Sequence, residues 1–378
     1  GLIDFDTVVA ANIATTNGYG TTDSLTSSPF YGQLIGSNEY RNEDVNRAVE
    51  VRRASMNSHD WVGAISNLEY QKDKWTASVG LDLRNYKGYH YRALNNLMGL
   101  DGYYSTGDKN SQGLIITEGS TIEASPFNNT GLNGPKLDYY NVGIVKWAGL
   151  NGLLEYNDGD QLTAVVQGGV SNQSYQRIDY FDQPGNVVSD VASLPGGYVK
   201  GGVNYNIDEK SNVFFNTGLI SRQPMFDAVF PNYANTVNED LENEKISSLE
   251  LGYGFIGDEL TMNINVYNTN WGNRFISRSV DVTVNDSTIV EGNAQFSGIN
   301  VVHKGLELET TYRPTNNLKI TGMASVGDWK YANNFDAEIF DDSNNLLGNA
   351  TLYTEGAKVG DAAQFTGNLG VDYRITKG

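Results

Sequence analysis

The sequence predicts an all-β protein, an antiparallel β-barrel of the membrane-spanning kind, and three observations predict it. Apolar and polar residues alternate with period two in segment after segment. Short and long connections alternate between those segments. Several segments are also longer than a soluble sheet normally uses.

The period-two runs, in chain order, begin with Trp75/Ala77/Val79/Leu81/Leu83 and Leu162/Ala164/Val166/Gly168/Val170. They continue with Leu249/Leu251/Tyr253/Phe255, Leu260/Met262/Ile264/Val266 and Leu306/Leu308/Thr310/Tyr312. Leu318/Ile320/Gly322/Ala324/Val326 and Leu369/Val371/Tyr373/Ile375 complete the set. The intervening positions are small, polar or charged: Ser248, Glu250 and Gly252, Thr261, Asn263 and Asn265, and the charged Asp82, Arg84, Glu307, Glu309, Asp372 and Arg374. A soluble sandwich turns its apolar face inward, whereas a membrane barrel turns it to lipid and keeps the polar face for the lumen. Alternation alone fits both.

Connection lengths separate them. Tight polar turns fall at 71–74, 157–160, 208–210, 257–259 and 314–317, and the segments between the resulting hairpins run 95–137, 182–195, 222–243, 272–298 and 332–362. Short periplasmic turns and long extracellular loops give this strict alternation, and a sandwich has no reason for it. The expected strands are 60–70, 74–94, 138–156, 161–181, 196–207, 211–221, 244–256, 259–271, 299–313, 317–331 and 363–376. That is about eleven strands, and a closed bacterial barrel needs an even number. Residues 1–59 read as a polar loop region ahead of a barrel portion, 60–378. The expectation is therefore part of a larger barrel.

Composition agrees and excludes other classes. Tyr (23) outnumbers Phe (14), Gly reaches 42 and Pro only 8, which suits long strands joined by Gly/Asn/Asp turns. A net charge of −19 argues against a nucleic-acid partner, which would need clustered Lys and Arg. The absence of cysteine removes disulfides, thiolate metal sites and cysteine nucleophiles. No window of about 18 apolar residues marks a transmembrane helix, which leaves strands as the means of crossing lipid. The opening residues Gly1-Leu2-Ile3-Asp4 lack the basic start and apolar stretch of a signal peptide, so an exported protein would be represented here by its mature or partial chain.

One ordered series of motifs resembles the TonB-dependent receptors of bacterial outer membranes. Ser221-Arg222-Gln223-Pro224 is similar to the family's Ser-Arg-x-Phe-Arg-x-Pro strand end, and Asn238-Glu239-Asp240-Leu241-Glu242-Asn243-Glu244 to its Asn-Pro-x-Leu-x-x-Glu motif. Leu249-Glu250-Leu251-Gly252-Tyr253, Asn265-Val266-Tyr267-Asn268-Thr269-Asn270-Trp271 and Lys304-Gly305-Leu306-Glu307-Leu308-Glu309 resemble the strands that follow. Upstream, residues 57–61 and 86–92 resemble large receptors of the Bacteroidetes type. The resemblance covers roughly residues 55–375, and it implies an antiparallel transmembrane barrel of roughly 22 strands, of which this chain is about half. It also implies energy coupling to TonB through an N-terminal plug domain with a TonB box. Neither is read in these residues, and the terminal aromatic with which the family ends is replaced by Arg374-Ile375-Thr376-Lys377-Gly378.

No catalytic, cofactor or metal site is expected. The histidines are His59, His90 and His303, and the contiguous Ser58-His59-Asp60 cannot converge as a triad does. Asp108 to Gly113 resembles the start of a calcium loop, but Gly119 stands at the twelfth position where a bidentate Glu is needed. An ordinary polar loop is the reading there, and the acidic run 336–342 reads as a solvated surface. Ligand contact is expected first from the long segment 95–137, where Tyr103 and Tyr104 could stack on a sugar or a catecholate, although barrel tyrosines also serve as interface girdle residues. Lumen residues such as Glu307, Glu309, Asp82, Arg84 and Arg374 are expected to bond to one another or to a plug.

Three functions follow. The resemblance implies TonB-driven import of a scarce ligand, such as a siderophore, cobalamin or an oligosaccharide, with a surface lipoprotein as a further partner if the cargo is a glycan. A passive porin or structural barrel lacks the coupling, and a soluble secreted all-β glycan-binding protein would need no bilayer.

Overall fold

The computed structural model describes residues 3–15, 34–36, 50–111, 113–120, 134–284, 288–341, 345–360 and 362–375. Gly1 and Leu2, most of the polar stretch before residue 50, Gln112, part of 95–137, Asp342 and Thr376 to Gly378 lie outside the described residues.

The long strands follow the sequence pattern closely. They are β2 (Arg52–Lys72), β3 (Trp75–Asn96), β6 (Lys136–Asn157), β7 (Leu162–Asp179), β8 (Ala192–Asn206) and β9 (Ser211–Arg222), then β10 (Glu244–Ile256), β11 (Leu260–Val284), β12 (Thr288–Thr315), β13 (Leu318–Tyr331) and β16 (Phe365–Tyr373). Each corresponds to one expected strand. Two more, β14 (Phe335–Phe340) and β15 (Leu346–Leu352), form a hairpin inside the segment read as a loop, which brings the sheet to 13 strands. Pairing runs β15-β14-β12-β11-β10-β9-β8-β7-β6-β3-β2, with β13 on β12 and β16 on β13. A separate three-stranded sheet holds β1 (Ile35–Gly36), β4 (Gly102–Ser105) and β5 (Leu114–Ile116).

The chain divides into two compact units, residues 1–62, 85–145 and 175–191, and residues 63–84, 146–174 and 192–378. Long strands such as β2 give residues to both.

In the first unit, Leu94, Tyr103, Ile116 and Leu137 form a buried cluster, with Val51 and Leu97 against it. A helix, α1 (Phe5–Thr15), occupies part of the stretch read as loop, and β2 begins at Arg52 rather than residue 60. A local cap starts the helix: Asp4 accepts the Thr7 N–H at 3.2 Å and its hydroxyl at 2.8 Å. Asn12 then ties it down, donating to the carbonyls of Glu50 (2.7 Å) and Met98 (3.0 Å) and accepting the Glu50 N–H (3.1 Å). A buried ion pair, Arg177–Asp179 at 2.8 Å, is stabilised by the Phe181 and Asp182 N–H groups, each 2.9 Å from Asp179 Oδ1.

In the second unit, strand register sorts side chains into two faces. Val203, Phe215, Leu251, Val266, Leu306, Val326 and Phe365 are cross-strand partners in succession from β8 to β16. All seven are exposed. Such a continuous apolar row in contact with solvent would be a liability in water and is what a strand wall offers to acyl chains. On the other face, Asn216 and Asn265 both donate to Glu250 (3.1 and 3.0 Å). Asn265 also reaches Glu307 (3.3 Å), and the Ser325 hydroxyl donates to the same carboxylate (3.4 Å). A polar ladder thus crosses β9 to β13. Gly252 leaves room on this face for the Phe214 ring, which a Cβ at that position would have to displace.

Tight turns close the hairpins at one end. At 157–162 a single side chain organises the turn: Asp158 Oδ1 accepts the N–H groups of Asp160, Gln161 and Leu162 at 3.0, 2.9 and 2.9 Å.

Candidate functional site

The candidate residues lie in the long connections and on the polar face of the strands. Tyr103 is 1% exposed and belongs to the buried cluster of the first unit. Tyr104, beside it in β4, is half-buried and lies over Gly113, where a Cβ would sit 2.5 Å from the phenol oxygen. The calcium-like stretch is a docked turn. Asp108 Oδ1 accepts the Asn110 N–H (2.9 Å), the Asn110 amide donates to the Tyr180 carbonyl (2.8 Å), and Lys109 pairs with Asp182 (3.1 Å). In the acidic run, Asp336 accepts the Thr351 hydroxyl (2.6 Å) and Asp341 the Asn345 backbone N–H (2.8 Å). No group of three metal-ligating side chains gathers among the described residues.

Lys136 opens β6 about twenty residues from its tight turn, well beyond the nine to eleven a strand needs to cross lipid. Its ammonium lies 4.9 Å from the Tyr91 ring centroid and 5.4 Å from that of Tyr140, and it donates to the Gly134 carbonyl at 2.5 Å. Those contacts favour the charged form, but burial wins and holds its pKa down at about 8. Tyr140 stacks in turn on Tyr180, centroids 4.5 Å apart.

On the polar face, Asp82 and Arg84 pair with each other at 2.6 Å, and Glu307 bonds within the ladder. Above the ladder lies an aromatic and cationic cluster. Buried Glu244 accepts from Arg222 at 2.7 Å and from the Trp271 indole N–H at 3.1 Å. The guanidinium groups of Arg222 and Arg274 lie over the Trp271 ring, 5.2 and 4.7 Å from its centroid. Next along the wall, Trp329 donates its indole N–H to the Tyr267 hydroxyl (2.9 Å) and stands edge-on to His303. Sequence reading placed Arg222, Glu244 and Trp271 in separate motifs and left Arg274 unremarked. Pairing of Arg222 with Glu244 across β9 and β10, and of Ile246 with Trp271 across β10 and β11, brings the first three together.

Long antiparallel strands, an apolar face of exposed side chains and a polar face stitched by its own hydrogen bonds define a transmembrane β-barrel protein. The family model described as "TonB dependent receptor-like, beta-barrel" matches residues 3–378, and the chain belongs to that family. Among solved structures it is similar to the copper transporter OprC, with TM-score 0.52, 12% identity, and coverage of 76% of this chain and 42% of that one. It is also similar to the alcaligin outer-membrane receptor FauA from Bordetella pertussis, with TM-score 0.47, 12% identity, and 88% and 45% coverage. The unliganded ferric citrate transporter FecA gives TM-score 0.48, 12% identity, and 87% and 49% coverage. The chain thus spans less than half the length of these structures. No curated protein matches the sequence.

Proposed function

We propose that this chain is part of the wall of a receptor that imports a scarce solute across the outer membrane, with energy delivered by TonB. The family match over residues 3–378 carries this reading. A wall whose polar groups face away from the apolar row supports it, because the cargo and a plug domain would both need such an interior. The partners of this reading are TonB acting through a plug domain, the lipid bilayer and, for a glycan cargo, a surface lipoprotein. The cargo classes are siderophores, cobalamin and oligosaccharides. Of the two tyrosines in 95–137, Tyr104 keeps the surface that a ligand could stack on.

Uptake tests the coupling. Cells that depend on the full-length receptor should stop accumulating its cargo when a protonophore collapses the inner-membrane gradient, while ligand binding at the surface persists. Accumulation that continues at the same rate would make the barrel a passive pore.

A further inference from the structure

At the outer ends of β9 to β12 a cavity of about 340 Å³ opens between the segments that follow Arg222, precede Glu244 and flank Arg274. Its lining divides by chemistry. Met225, Leu241 and Phe275 supply apolar surface, and Asn238, Asn273 and Ser297 supply hydrogen-bonding groups. Arg274 is its cation.

Three acids, Asp240, Glu242 and Glu244, also line the cavity. Glu244 is held by Arg222 and Trp271, and Glu242 accepts from the Asn273 amide (2.6 Å) and pairs with Lys245 (3.6 Å). Asp240 is exposed. Among the described residues no carboxylate comes within 4.0 Å of the Arg274 guanidinium. A half-buried arginine whose fork makes no direct ion pair keeps its donors for an anion.

The backbone presents this side chain deliberately. The β11–β12 ladder shifts register on both sides of Arg274, Asn273 adopts a left-handed φ of 56°, and Gly298 on the facing strand has φ 69°. Bulges of this kind re-aim a side chain. The Asn273 N–H is caught by the Asn300 side chain at 3.2 Å, which holds the irregular turn in place. Trp271 supports the guanidinium from below and is itself packed on the core of Ile299, Val301 and Phe335. An arginine stacked on a fixed indole keeps its planar fork oriented, which suits bidentate capture of a carboxylate.

We propose that this cavity binds a small carboxylate-bearing ligand with an amide and an apolar group, the chemistry of an acylated amino acid or a peptide C-terminus. Arg274 takes the carboxylate, the Asn238 and Asn273 amides and the Ser297 hydroxyl face the amide, and Met225, Leu241 and Phe275 cover the apolar part. This rests on the receptor reading and adds a ligand class to the cargoes named under it.

Calorimetric titration of the full-length receptor in detergent with N-acetyl-L-leucine, and with N-acetyl-L-leucinamide as its neutral twin, tests the assignment. The acid should bind about ten- to a hundredfold tighter than the amide. Arg274→Gln should erase that difference, while Arg274→Lys, which keeps charge but loses the fork, should retain part of it. Equal binding of the two compounds, binding of neither, or an acid preference that survives Arg274→Gln would overturn the proposal. Gradient-dependent uptake in cells is read independently, so the receptor reading can stand when this one falls.

Discussion

Lys136 shows how a single residue can conflict with its surroundings. Its ammonium lies over two tyrosine rings, yet burial holds its pKa down at about 8, below the 10.5 of an exposed lysine. The folded state therefore binds fewer protons than the unfolded chain at pH values between these two. Charging Lys136 costs stability in full below pH 8, and that cost fades as pH rises from about 8 towards 10.5. Thermal unfolding of the receptor followed across this range should give a midpoint that climbs with pH. The Lys136→Met variant should flatten that climb. Neither the rings nor the burial could be read from sequence, since Tyr91 and Tyr140 reach Lys136 only through the fold. The same holds for Tyr103, which the sequence offers as a surface aromatic and the fold uses as core.

At the scale of the element, strands declared themselves where one face is apolar and the other polar, because lipid and lumen impose that alternation along the chain. All eleven expected strands are present for this reason. The signal stops where the bilayer stops. Residues 272–284 and 288–298 extend β11 and β12 beyond the expected ends, and β14 with β15 adds a hairpin. These segments mix Asn, Ser, Gly and charge with short alternating runs such as Val280/Val282/Val284 and Phe335/Ala337/Ile339, too brief to stand out from a polar loop. They stay extended through cross-strand pairing. The Arg222–Glu244–Trp271 cluster is hidden because such pairing assembles it. Short turns are more legible, and the one at 157–162 depends on one carboxylate. Its three backbone hydrogen bonds hold the Asp158 pKa below its ordinary value. Replacing it with alanine should raise hydrogen–deuterium exchange at Asp160, Gln161 and Leu162 roughly tenfold, with strand amides beyond Leu162 unaffected. In wild type, the same protection should fade on acidification below pH 3.8, as the carboxylate is protonated.

For the molecule as a whole, the face that meets lipid decides whether it can assemble. The row from Val203 to Phe365 presents apolar side chains on seven strands, and the family match places such a wall in the outer membrane. An arginine at Leu251 should cost about 2–4 kcal/mol of barrel stability if it lies near the bilayer midplane. An arginine at Asn265, on the opposite face of the neighbouring strand, should cost much less. The comparison is made by measuring how much full-length receptor each variant delivers, folded, to purified outer membranes. Equal losses at both positions would mean that the two faces have been assigned wrongly.

The polar ladder across β9 to β13 also bears on passage. Glu250 is met by two amides, and Glu307 by an amide and a hydroxyl, all from the wall itself. A wall group with unused hydrogen-bonding capacity holds whatever passes, at about 0.5–1.5 kcal/mol net for each bond. A wall that has already answered its own groups offers few such holds. If the import proposed above runs along this stretch, a moving solute would meet a smooth energy profile, with friction set by water rather than by the protein.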